Sequence, residues 1–138
     1  MFKNFILAAT TVALVSNFAA AELAPGSYNA MKAEAGEVVI VEVTNAVSTA
    51  VDGPNTVTLT AKVLHVDKTS SKVKAGDTIT IQYVTPKEGI KVMGPKPQPM
   101  LAKGNVRVGY LNWDAATNSY GIAAHGLSFD AQVGQVAK

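Results

Sequence analysis

Residues 56–84, TVTLTAKVLHVDKTSSKVKAGDTITIQYV, read as two long strands joined by a charged turn. Val57, Leu59, Ala61 and Val63 alternate with Thr56, Thr58, Thr60 and Lys62. Ile79, Ile81 and Tyr83 alternate in the same way with Thr78, Thr80 and Gln82. A period of two puts each apolar set on one face of a pleated strand. The β-branched content suits a half-buried sheet. Lys68, Lys72 and Lys74 fall in the connection, where a solvated turn accounts for them. Ala75-Gly76-Asp77 supplies the tight return. His65 sits in the inward register of the first strand, at its rim.

Upstream, Glu37–Val43 (EVVIVEV) is a strand largely apolar on both faces, which predicts a central position or cover on both sides. Glu37 and Glu42 lie on opposite faces, so this strand pairs no carboxylates on one side. Asp52-Gly53-Pro54-Asn55 is a dense turn signal that ends it. Downstream, 85–104 changes character: Pro86, Gly89, Gly94, Pro95, Pro97 and Pro99 break any ladder. MGPKPQPM is expected to be extended and solvent-facing. Asn105–Trp113 and Ser119–Ala124 then form a hairpin. With Trp113 opposite Ser119, Tyr110 faces Ile122 and Val108 faces Ala124, so both apolar sets share one side. The other side carries Arg107, Leu111, Trp113 and His125, thinned by Gly109 and Gly121. A thin face lets something approach closely or lets the sheet bend. Leu127–Asp130 reads as a last short strand.

Five main strands, one long link between the third and fourth, and no clear helix predict an all-β domain. A small five-stranded OB-like Greek-key barrel is the leading architecture, and a small β-sandwich is the alternative. The stretch Val63–Ile81 carries V-x-x-V-x-K before its turn and K-x-G-D-x-I-x-I after it. In this it resembles secreted OB-fold modules of the netrin-like and metalloproteinase-inhibitor class. The resemblance implies a barrel and a binding role. Those inhibitors present a metal-chelating amine from an N-terminal, disulfide-bonded cysteine. This chain has no cysteine, so protease inhibition is not carried over.

The N-terminus has Lys3, then the uncharged run FILAATTVALVSNFAA, then Ala19-Ala20-Ala21. That is the layout of a secretory signal cleaved after Ala21. A membrane span is the competing reading, but Thr10, Thr11, Ser16 and Asn17 dilute the run. The expected organisation is a signal peptide at 1–21, a mobile leader or single turn at 22–36, a barrel domain at 37–130 and a polar tail at 131–138. The expected location is periplasmic or secreted, with no membrane anchor after cleavage. Without cysteine, neither a lipid anchor nor disulfides are available, so a packed apolar core must hold the domain. The 117 residues left of 138 after cleavage are enough. Removing Lys3 leaves 11 basic against 10 acidic residues, which gives no electrostatic case for nucleic acid.

Catalytic constellations are scarce. His125, Ser128 and Asp130 are neighbours in sequence, and strand neighbours do not converge as a triad. No Gly-rich loop precedes a helix to cradle phosphate. No enzyme activity is therefore expected. The expected function is an exported, non-enzymatic module with no cofactor. It would contact an envelope protein or a small ligand through Arg107, Trp113 and His125 and the Pro-rich link. Trp113 is the lone tryptophan and the strongest binding hint, suited to a protein, a glycan or another subunit. The alternative is an envelope copper protein: Met93, Met100, His65 and His125 offer the thioether and imidazole ligands that suit Cu(I). Core-capping methionines and ordinary histidines are the simpler account.

Overall fold

The computed structural model describes residues 24–50, 53–86 and 94–131. In chain order these form helix α1 (Pro25–Glu34) and strands β1 (Glu37–Thr49), β2 (Asn55–Lys68), β3 (Thr78–Thr85), β4 (Val106–Asp114), β5 (Ser119–Ile122) and β6 (Phe129–Ala131). A 3-10 turn at His125–Leu127 precedes β6. The expected signal peptide and the tail beyond Ala131 lie outside the described residues.

Five strands close on themselves. The pairing order runs β1-β2-β3-β5-β4, and β4 returns to β1. This is a small OB-like Greek-key barrel. β5 and β6 share one edge of β4: β5 takes Leu111–Asp114 and β6 takes Arg107–Gly109. The barrel's seam is thin. β3 meets β5 in parallel at a single pair, Ile81 with Tyr120. As its apolar pattern predicts, β1 is central, held by β2 on one side and β4 on the other.

The interior is built from the expected alternation. Val57, Leu59, Ala61 and Val63 of β2 are fully buried, and Ile79, Ile81 and Tyr83 of β3 face them from across the ladder. Val39, Val41 and Val43 of β1 complete the wall. Each fully buried Val, Leu or Ile contributes about 1.5–3 kcal/mol relative to exposure. The ladder between β1 and β2 is interrupted by three register shifts. Such bulges add bend and twist, which a small barrel needs to close.

One of these shifts moves His65 out of the inward row. Ile40 pairs His65 but Val41 pairs Val63, leaving Leu64 as the extra residue. After the bulge Val66 packs on the core, and His65 is exposed and bonded to Asp67 at 2.9 Å.

The β4–β5 hairpin is also one residue away from the expected register. Trp113 pairs Tyr120 and Leu111 pairs Ile122, with Asp114 opposite Ser119. Leu111, expected outside, is fully buried, whereas Val106, Val108 and Tyr110 are only half-buried. The turn decides this. Asp114 accepts the Ala116 N–H at 2.9 Å and Asn118 takes a left-handed φ of 53°, a conformation Asn tolerates well. The turn therefore closes on Asp114 and Ser119 and carries every later residue with it. The space beside Gly109 is filled by the Phe129 ring of β6, 3.2 Å from where a Cβ would stand.

The leader is a ten-residue helix rather than a mobile arm. Isolated helices of that length are marginal, so packing must hold it. Tyr28 is 2% exposed and Ala35, just past the helix, is fully buried. Lys32 bonds both carboxylate oxygens of Asp130 at 3.0 Å and stands 4.9 Å over the Tyr110 ring. The link is likewise less solvent-facing than its prolines suggest. Between Gly94 and Asn105 it has neither helix nor strand, but Gln98 and Leu101 are buried. The Tyr28 hydroxyl accepts the Lys96 N–H, and the Tyr83 hydroxyl donates to the Pro99 carbonyl while accepting the Leu101 N–H.

Candidate functional site

Glu37 is the first residue of the inward row that continues with Val39, Val41 and Val43. It stands opposite Leu111 of β4 at one end of the barrel, 1% exposed. A buried carboxylate is tolerated only when hydrogen bonds replace its water. The segment after β2 supplies them. Thr69 and Ser71 hydroxyls donate to Oε1 at 2.6 and 2.9 Å, and the Ser71 N–H donates to it at 3.4 Å. The Ser70 hydroxyl donates to Oε2 at 2.9 Å. Burial pushes this carboxyl up, but the donors together outweigh it and hold the group below its ordinary 4.5.

The network continues outward. The Ser71 hydroxyl has one proton, which is committed to Glu37, so the Tyr120 hydroxyl donates to Ser71 across 2.7 Å. The phenol oxygen of Tyr120 keeps its acceptor capacity. Tyr120 in turn meets its strand partner Trp113 edge-on, with ring centroids 4.9 Å apart and planes at 64°. Cross-strand aromatic pairs of this kind hold each other in place. A carboxylate inside the barrel is thus wired through two hydroxyls to the only tryptophan.

These groups frame an open groove of about 380 Å³ between the β2–β3 connection and the β4–β5 turn. Its walls include Lys72, Thr78, Thr80, Trp113, Asn118 and Tyr120. Thr78 and Thr80 belong to the outward row of β3. Asp77 also lines the groove, but its Oδ2 accepts the Lys74 N–H at 2.9 Å. Lys72 and Asn118, on opposite rims, both have left-handed backbones, with φ of 66° and 53°. Trp113 is 45% exposed.

Of the three expected contact residues, only Trp113 is at this groove. Arg107 lies six residues earlier on β4, roughly 20 Å away along the strand. It donates to the Val106 carbonyl and pairs with Val41 and Ala131. His125 lies on the 3-10 turn beside the link, where Gly126 N–H bonds the Lys96 carbonyl at 2.7 Å. Neither Arg107 nor His125 lines the groove. Ser128 Oγ donates to the His125 carbonyl and accepts the Ala124 N–H, while Asp130 is paired with Lys32. The sequence neighbours His125, Ser128 and Asp130 therefore do not assemble.

Among the copper candidates, Met93 lies outside the described residues. Met100 is exposed and adjoins Leu101, which Tyr83 anchors near Val57 of β2. His65 is eight residues from Val57 along that strand, roughly 25 Å. Among the described residues, no three of His, Cys, Asp and Glu gather in a metal-binding group. Nor is any helix there long and apolar enough to cross a membrane.

Sequence reasoning missed Glu37, Thr69–Ser71, Asn118 and Tyr120 as parts of a site. The signal for Glu37 was available: an acid shares the face of three valines, and three hydroxyl residues follow the next strand. Comparison with protein families, with curated proteins and with solved structures returns no match to this chain.

Proposed function

We propose that the chain is an exported, non-enzymatic binding module whose ligand sits in the groove beside Trp113. The observation that carries this reading is the half-exposed indole, braced by Tyr120, over walls rich in hydroxyl and amide groups. A ring face that is partly apolar and edged with hydroxyls complements such a surface, which points to a glycan. The groove is in the size range of small-ligand sites, about 300–1,000 Å³. Oligosaccharide-binding barrels of this topology also use the β4–β5 loop, which forms one wall of this groove. The Ser71 hydroxyl serves Glu37 rather than a catalytic base, which favours binding over turnover. Export rests on the N-terminal pattern of charge, apolar run and small residues.

Because Trp113 is the single tryptophan, its fluorescence reports the groove directly. Titration of the mature protein with a panel of oligosaccharides is expected to give a saturable change. Trp113→Ala is expected to weaken binding about tenfold or more by calorimetry, near 1.4 kcal/mol, with little loss of stability. A large drop in stability with unchanged binding rejects the site.

A further inference from the structure

We propose that Lys72 makes this groove selective for acidic sugars, pairing its ammonium with a ligand carboxylate while Trp113 contacts the sugar ring. The proposal rests on the glycan reading above. Its first support is backbone geometry. Lys72 is neither glycine nor asparagine, yet its φ is 66°. The left-handed region is costly for a residue with an ordinary side chain, and such strain persists only where neighbouring contacts over-determine it. Such contacts surround Lys72. Glu37 grips Thr69, Ser70 and Ser71 immediately before Lys72, and Val73 immediately after it is buried, its N–H bonded to Thr69 Oγ1 at 3.1 Å. The segment is pinned on both sides of the strained residue.

The second support is charge. Lys72 lines the groove, is exposed, and makes no ion pair or side-chain hydrogen bond among the described residues. The other charged wall residue, Asp77, is turned toward the Lys74 N–H. Lys68, which could otherwise compete, donates instead to the Ala33 carbonyl at 3.1 Å. Among the described residues, the groove thus carries one cation without a side-chain partner together with one exposed aromatic ring. Thr78, Thr80 and Asn118, which bear hydroxyl and amide groups, line the same groove. A uronic acid unit has the matching pattern of ring face, hydroxyls and one carboxylate.

The test compares a short oligo-uronate with its methyl ester, which keeps the sugar backbone and removes the charge. Wild-type protein is expected to bind the acid form roughly 3–10-fold more tightly, with the difference shrinking as salt rises. Lys72→Gly is expected to abolish that preference, so that acid and ester bind alike. It should also raise the thermal midpoint by roughly 4 °C, because the strain is removed. Lys72→Arg should keep the preference. Equal binding of acid and ester, or a preference that survives Lys72→Gly, overturns the inference while the Trp113 reading stands. If neither form binds but an acidic peptide does, both readings fall.

Discussion

Glu37 is the residue on which the groove's geometry depends, and its charge is the property to change. Glu37→Gln keeps the shape but replaces charge-assisted hydrogen bonds from Thr69, Ser70 and Ser71 with weaker neutral ones. It is expected to cost about 2 kcal/mol at neutral pH, measured by urea denaturation. The pH dependence follows from the lowered carboxyl. In the folded protein Glu37 releases its proton more readily than at its ordinary 4.5. Its contribution is therefore complete above that value and is lost as pH falls through the lower folded one. Wild type and Glu37→Gln should converge in stability once the pH has fallen below the lowered folded value. A constant gap between them from neutral to acid would show that the carboxylate charge is not the cause. Trp113 was legible in the sequence as an aromatic at a hairpin end. Glu37's role was missed because its donors stand 32 to 34 residues away, so the acid on the valine face had to be joined to the hydroxyl run after the next strand before either carried meaning.

The strands around the quoted stretch were legible because alternation and burial coincide there: every expected inward residue from Val57 to Val63 is fully buried. Legibility failed where one residue changes the phase. The bulge at Leu64 and the turn from Asp114 to Ser119 each shift a register, and nothing in a period of two announces them. It failed again at α1, whose AMKAEA core has no strong amphipathic stripe. Tertiary contact supplies what local propensity lacks. Tyr28 is the anchor, nearly fully buried with its hydroxyl on the Lys96 N–H. Tyr28→Ala is expected to destabilise the domain by about 3 kcal/mol in a denaturation experiment. Tyr28→Phe, which loses only the hydrogen bond to the link, should cost about 1 kcal/mol. If Tyr28→Ala costs less than Tyr28→Phe is expected to, the helix is not docked and the leader behaves as an arm.

The barrel is unevenly closed. β1 is laddered on both edges over its first half, and β2 is laddered to β1 from Thr56 to Lys68 and to β3 from Asn55 to Lys62. The seam between β3 and β5 has one backbone pair, and the short β5 depends on β4 for the rest of its hydrogen bonds. Side chains reinforce the seam: Tyr120 is 7% exposed beside Ile81, and its hydroxyl is held by Ser71. Separating β5 from β3 therefore breaks one backbone pair, one hydroxyl bond and the packing of Tyr120 beside Ile81. Separating β1 from β2 dismantles the core. Local openings follow such differences in what must be broken. In native-state hydrogen exchange, amides of Ser119–Ile122 are expected to exchange through a partial opening that spares Val41, Val57 and Leu59. Their protection should be lower by about 2 kcal/mol or more, since regions differ up to the global stability. The groove's walls come from both sides of this seam, with Thr78 and Thr80 on β3 and Trp113, Asn118 and Tyr120 on the β4–β5 hairpin. A ligand in the groove bridges those walls, so it should slow exchange in β5 more than in β1 or β2, by an amount set by its concentration relative to its dissociation constant. Uniform slowing across all strands would mean that the ligand stabilises the barrel without crossing the seam, and equal protection of β5 and β2 in the free protein would mean that side chains alone close it as firmly as a full ladder.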